Sequence, residues 1–210
     1  REYIDGVRYI GNSSSGKTGA DLSDYLSQLG HEMVWIGASS AIKPARNLQQ
    51  IQYETFDDLA NSLKDTLATQ VFDLVFQAAA VSDFKVSAVE LGGKIFETGR
   101  NVKLPTADEI KLVLGKQPKL VSSIKSWSKN NGTKVVAFKL TNSPDQHVRT
   151  QAVSKLIEQT VIDWVVHNDL QDISAKSHSF QLYNSIDQYQ YCADIRELAD
   201  AVLKNAGVNP

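Results

Sequence analysis

The stretch Gly11 to Thr18 reads GNSSSGKT, which fits the pattern G-x-x-x-x-G-K-[ST]. In that pattern backbone amides wrap a nucleotide's β-phosphate, the lysine neutralises it and the hydroxyl binds magnesium. Lys17 and Thr18 would then serve a P-loop kinase or NTPase. The same stretch suits a simpler anion site. Ser13, Ser14, Ser15 and Gly16 place hydroxyls and amides where a helix begins, and the positive end of the helix dipole favours a phosphate or carboxylate. A turn without a ligand is the third reading. The preceding DGVRYI carries Arg8 and Tyr9 and reads as an exposed lead-in, not as the buried strand that feeds a P-loop. A convincing second metal-binding aspartate is also missing, since Asp73 lies inside a strand and Asp83 follows the small residues AAAVS.

The elements that must position this loop follow from periodicity. Leu22, Tyr25, Leu26 and Leu29 have helical spacing from Thr18 onward, and Gly30 stands where the helix would end. HEMVWIGAS and IQYETF read as strands, DDLANSLKDTLAT as a helix and VFDLVFQAAAV as a strand apolar on both faces. A helix around Lys119 to Trp127, the strand KVVAFKL, a helix from Val148 to Glu158 and the strand DWVVHND follow. HSFQLYN and QYQYC read as a hairpin, and Asp194 and Glu197 have capping-box spacing before a final helix. Continuous apolar strands alternating with helices predict an α/β fold. It is a Rossmann-like, doubly wound, mostly parallel sheet with an antiparallel C-terminal edge, and its ligand crevice lies at the carboxyl ends of the parallel strands. From Phe84 to Lys116 glycines and charges show little buried periodicity, which predicts a flap over about 85–115.

The chain of 210 residues, 42% hydrophobic and 22% charged, predicts one globular domain. A net charge of -2 gives no electrostatic reason to expect nucleic acid or an anionic membrane as partner. No stretch approaches the roughly 20 apolar residues of a membrane helix. The single cysteine, Cys192, admits no intramolecular disulfide and no cysteine-rich metal cluster, and it suits a reducing, cytoplasmic setting and a packing role.

Several segments together resemble the phosphopantothenate–cysteine ligase family, also called phosphopantothenoylcysteine synthetase. They are REYIDGVRYIGNSSSGKTG at the start, QAAAVSDF at 77–84, GGKI around Lys94, GKQPKL at 115–120, VVAFKLTN at 135–142 and HNDL at 167–170. Their order and spacing cover nearly the whole chain. The opening resembles the family's D-x-V-R-x-I-[ST]-N-x-[ST]-[ST]-G, in which the residue after the glycine need not be lysine, so the P-loop spelling becomes a coincidence. The resemblance implies a ligase of coenzyme A biosynthesis that joins 4′-phosphopantothenate to cysteine. The carboxylate is activated by CTP or ATP with Mg2+, pyrophosphate leaves, and the amine captures the acyl-nucleotide. It also implies a homodimer, and an apolar strand with a glycine turn ahead of the opening segment.

Residue by residue, the resemblance makes Asn12 the amide that holds the acyl-nucleotide and Lys94 the flap lysine at the α-phosphate. Asp83, with the backbone of Gln77, Ala78 and Ala79, falls at the nucleotide site. Phe138 matches a nucleotide-contacting phenylalanine, Lys116 and Gln117 a nucleotide-binding K-N-P, and Lys155 a phosphate-binding lysine. Ser13, Ser14, Ser15 and Gly16 form the phosphate or substrate loop. Metal ligands are not assigned. Three departures stand out. The flap reads KIFE where many bacterial members have K-I-K-K, Gln159 replaces a second lysine, and the family's A-N-D becomes His167, Asn168 and Asp169, where His167 receives no catalytic role. AFKLTN and QPKL resemble stand-alone or eukaryote-like members, and HNDLQDIS resembles bacterial stand-alone ones. No flavin signature is present. A non-catalytic nucleotide-binding module is the rival outside enzymes.

Overall fold

The computed structural model describes residues 1–174 and 177–209. Strands β1 (Glu2–Tyr3) and β2 (Tyr9–Ile10) pair antiparallel and lead through the serine-rich loop into helix α1 (Lys17–Gln28). Then follow β3 (Val34–Ala38), β4 (Gln49–Tyr53), α2 (Phe56–Thr69) and β5 (Leu74–Gln77). Strands β6 (Phe84–Leu91), β7 (Lys94–Phe96) and β8 (Ile110–Lys116) precede a short 3-10 turn and α3 (Ile124–Trp127). The chain closes with β9 (Lys134–Thr141), α4 (Gln146–Ile157), β10 (Trp164–Asp169), β11 (Phe180–Ser185), β12 (Gln188–Cys192) and α5 (Ile195–Ala206).

The main sheet runs β12-β11-β10-β9-β5, with β5, β9 and β10 parallel and β11 and β12 antiparallel, as the alternating pattern predicts. Strand side chains alternate between faces. Val136 and Val166 therefore pack with Leu198 and Val202 of α5, whereas Ala137 and Val165 meet Val153 of α4. Both faces are covered, which is why β9 and β10 read as unbroken apolar runs. Local chemistry fixes the helix starts. Thr55 and Asp58 form a reciprocal capping box on α2, and Asp194 accepts from the amides of Arg196 and Glu197 at α5. Glu197 closes its half of the expected box one residue early, on the Ala193 amide.

Two expectations are corrected. VFDLVFQAAAV is extended only over Leu74–Gln77, because Val71 is exposed and the three alanines already belong to the turn. The second concerns the flap, whose weak periodicity hides regular structure at both ends, with residues 97–109 between them outside any helix or strand. The flap is built on an antiparallel sheet, β7-β6-β8, whose inner face of Val86, Val89 and Leu91 packs on Leu104. The hairpin between β6 and β7 turns on Gly92 and Gly93, both with positive φ, where side chains are disfavoured.

Strands β3 and β4 form a separate parallel pair, and β3 is not hydrogen-bonded to β5. A cavity of about 390 Å³ separates these two edges, lined on its inner walls by Leu22, Trp35, Leu63, Leu74 and Phe76.

Candidate functional site at the strand ends

The cavity opens toward the loop that precedes α1, where Gly11, Asn12, Ser13, Ser14 and Gly16 share its lining with Gln77, Ala78, Ala79 and Ala80. The loop is tied at three points. Asn12 Nδ2 donates to Ala80 O at 2.9 Å, Ile42 N donates to Ser15 O at 2.9 Å, and Gly16 N and Lys17 N approach the hydroxyls of Ser14 and Ser15 at 3.4 and 3.3 Å. Gly16 is the helix N-cap, with φ 74 and no side-chain cap. A Cβ there would come within 2.6 Å of the Ala41 Cβ, so the position combines a left-handed backbone with a close approach. Lys17 N has the Ser15 hydroxyl and Ala20 N the Gly16 carbonyl, so the amides of Thr18 and Gly19 are the ones left to a ligand or to water.

The P-loop reading finds no matching frame. The strand before the loop has two residues and pairs antiparallel with β1, outside the parallel sheet. Lys17 Nζ is 2.5 Å from Asp21 Oδ2 on the exposed side of α1.

A second group gathers at the neck of the flap. Asp83 and Lys119 form an ion pair, Gln117 N donates to Asp83 O at 2.8 Å, and Lys116 pairs across from Phe84. The buried Gln117 amide reaches Ser82 O and Phe84 O at 3.5 and 3.4 Å. Ala78–Ala80 and Asp83 are thus successive parts of one turn between β5 and the flap. The structure does not bring every expected residue to this place. Lys94 lies in the glycine hairpin of the flap and is not among the cavity-lining residues. Lys155 lies in the last turn of α4. Gln159 accepts from Ser122 Oγ at 3.1 Å and so braces the turn after Pro118. Phe138 is half-buried and meets Phe180 edge-on at 6.3 Å.

Sequence reasoning missed two buried carboxylates. Asp5 is fully buried and receives Arg8 Nη2 at 2.5 Å, plus the amides of Val7, Arg8 and Leu104. The Arg8 guanidinium, opposed by burial and aided by these amides, holds the Asp5 carboxyl well below the usual range. Asp169, 1% exposed, accepts from Thr141, Ser143 and Gln171 and is paired with Arg149 at 3.2 Å. Burial pushes its pKa up, but the Thr141 hydroxyl, the two amides and Arg149 prevail and hold it low. Asp5 and Arg8 did have a signal, a three-residue spacing within DGVR. Thr141, Ser143 and Arg149, which do most to hold Asp169, are too distant in sequence to announce themselves.

Residues 1–206 match the family described as DNA/pantothenate metabolism flavoprotein C-terminal domain. The chain belongs to that family. Within it, the Coenzyme A biosynthesis bifunctional protein CoaBC of Thermococcus kodakarensis is 30% identical over 182 residues, 87% of this chain and 42% of that protein. The chain therefore spans less than half the length of this curated relative. Among solved structures, the DNA/pantothenate metabolism flavoprotein from Streptococcus pneumoniae superposes with a TM-score of 0.83 at 24% identity, covering 98% of this chain and 93% of that one. A Cab2 mutant in complex with phosphopantothenate-cysteine superposes at 0.76 with 17% identity, covering 97% and 82%. These structures share the fold of this family member. Among its described residues no helix is long and apolar enough to cross a membrane.

Proposed function

We propose that this domain is a phosphopantothenate–cysteine ligase. The observation that carries the reading is the crevice in which Asn12 bridges the α1 loop to Ala80, with the N-terminus of α1 on one side and the Gln77–Asp83 turn on the other. A carboxylate is a poor acyl donor until one of its oxygens becomes part of a good leaving group. In the proposed reaction a carboxylate oxygen of 4′-phosphopantothenate attacks the α-phosphorus of a nucleoside triphosphate and expels pyrophosphate. The cysteine amine then attacks the acyl carbon, the amide forms and nucleoside monophosphate departs with that oxygen. The chain's contribution is to orient the mixed anhydride, neutralise phosphate charge and exclude water. Asn12 and the Ser13–Gly16 loop take the first task and the flap the third; Lys94 and Lys155, which lie outside the cavity lining, take the second once flap closure or a dimer partner brings them to the phosphates. Gln77, Ala78, Ala79, Asp83, Lys116, Gln117 and Phe138 would hold the nucleotide.

The described residues contain no cluster of three or more histidine, cysteine, aspartate or glutamate side chains set to hold a metal. A magnesium ion in this reaction would be bound largely by triphosphate oxygens and water, as suits an ion that keeps its waters. CTP is the proposed nucleotide, with ATP the alternative, in a cytoplasmic homodimer whose mass light scattering would report. A monomer at working concentration contradicts the dimer. The facing, unbonded edges of β3 and β5 fit the apolar strand that the resemblance implies ahead of the opening segment. Slow amide exchange along both edges in a longer chain is the expected result, and rapid exchange there contradicts it.

The reaction is tested by pyrophosphate release with 4′-phosphopantothenate and magnesium, comparing CTP with ATP, each with and without cysteine. Release that requires phosphopantothenate and rises with cysteine is expected. Nucleoside diphosphate in its place sinks the reading. Lys17→Ala should retain activity within about threefold, as an exposed pair such as Lys17–Asp21 contributes little, whereas Asn12→Ala should lose about a hundredfold or more.

A further inference from the structure

At the carboxyl ends of β9 and β10 a row of polar side chains crosses the sheet on the face covered by α4. Thr141 and Asp169 are cross-strand partners, and His167 stands two residues before Asp169 on the same face and opposite Gln181 of β11. Thr141, His167 and Asp169 are all buried, at 9%, 3% and 1% exposure. Thr141 Oγ1 lies 2.5 Å from Asp169 Oδ2 and 2.9 Å from His167 Nε2. On its other side His167 Nδ1 is 3.0 Å from the Gln181 side-chain oxygen, to which Tyr183 Oη also donates at 3.0 Å.

A threonine hydroxyl has one proton to give. The carboxylate of Asp169 can only accept, so it takes that proton, and the Thr141 oxygen is left as an acceptor. Its contact with His167 is then a hydrogen bond only if Nε2 carries the hydrogen. The Nδ1 side accommodates this either way, because the Gln181 amide can present its oxygen or, turned over, its nitrogen.

The network does not line the cavity, but it lies at the same carboxyl end of the parallel strands as the Gln77–Asp83 turn. Asp169 Oδ2 accepts from Ser143 N at 3.1 Å, Arg149 Nε donates to Ser143 O at 2.6 Å, and Asp169 Oδ1 accepts from Gln171 N at 2.9 Å. The turns after β9 and β10 are both fastened to one carboxylate. Asn168, between His167 and Asp169, places Nδ2 2.8 Å from His178 Nε2, and His178 lies within electrostatic reach of Asp21 and Lys17 in α1.

We propose that His167, as an Nε2–H donor to Thr141, is a positioning residue: it holds Thr141 on Asp169 and thereby fixes the turns after β9 and β10, at the same end of the sheet as the Gln77–Asp83 turn. His167 touches no substrate in this account. The kinetic part rests on the ligase reading, and the donor assignment does not.

Nitrogen-15 NMR of the histidine side chains tests the assignment directly. Nε2 of His167 should appear protonated, with its signal moving in Thr141→Val. A neutral ring protonated at Nδ1 alone overturns the proposal. In the pyrophosphate assay Thr141→Val and His167→Phe should raise KM for phosphopantothenate or nucleotide about tenfold, with kcat and folded yield changed far less. Thr141→Ser, and His167→Gln with its own N–H donor, should stay within about threefold of the parent. A Thr141→Val protein with unchanged KM overturns the positioning role even if His167→Phe fails to fold. If the parent releases no pyrophosphate, the ligase reading falls and the imidazole spectrum still decides the donor.

Discussion

Asp5 and Asp169 solve the same problem in different ways. Each is a buried carboxylate with an arginine and backbone amides around it. Asp5 takes its arginine from three residues away and two amides from the same turn, reaching far only to Leu104. Asp169 has no local cation: apart from the amide of Gln171, its partners come from the end of β9, the turn beyond it and α4. Arg8 is 36% exposed and Arg149 15%. The Asp5 clamp is largely made by local chain and ties the returning flap segment to it, helped by Gly6 N on Val102 O at 2.7 Å and by Arg100 on Glu54 at 2.5 Å. The Asp169 hub can form only when the main sheet and α4 are already assembled. Burial of a charge is therefore a tether in one region and a consequence of the whole fold in the other.

The contrast predicts unequal damage. Arg149→Met strips the cation from a buried charge and should cost on the order of 3 kcal/mol of global stability, read as a denaturant midpoint that falls with its slope unchanged. An undisturbed midpoint would mean that Thr141 and the amides hold Asp169 unaided. Arg8→Met should act locally. Amide exchange should quicken in β6 and β8 while β9 and β10 keep their protection, and uniform loss across both sheets would erase the distinction. Both carboxyls are held below their ordinary pKa, so their contribution is complete above the unfolded value of about 4 and is lost as pH falls through and below it. Acid unfolding curves should thus steepen below about pH 4, and Asp5→Asn should flatten that limb. Smallest is the effect at Cys192, where burial, with Glu197 and Asp194 adding to it, pushes the thiol up to about 11. At pH 8 a thiol reagent should label it only as the protein unfolds, and rapid labelling of the native state would contradict its packing role.

The same contrast explains what the sequence revealed. Strands β9 and β10 are legible because residues such as Val135, Val136, Val165 and Val166 are buried on both faces. The flap sheet is not, because one face is solvated, a bulge falls between Val86 and Ala88, and Ile95 and Val113 are exposed apolar residues that blur the alternation. The loop before α1 was legible from local spelling, whereas the Gln77–Asp83 turn was not, because QAAAV reads as the continuation of an apolar strand. The pairing of Asp5 with Arg8 had its signal in the spacing of DGVR, but the burial of that carboxylate did not, because it includes an amide 99 residues away. His167 received no role from the sequence because its partner Thr141 lies 26 residues earlier.

The most direct measurement follows one atom. With 4′-phosphopantothenate labelled by oxygen-18 in its carboxylate, together with magnesium, cysteine and CTP or ATP, the proposed chemistry carries one label into the nucleoside monophosphate. Mass spectrometry should find it there in every turnover that forms amide. Unlabelled monophosphate, or nucleoside diphosphate as the product, would contradict an acyl-nucleotide ligase in this crevice.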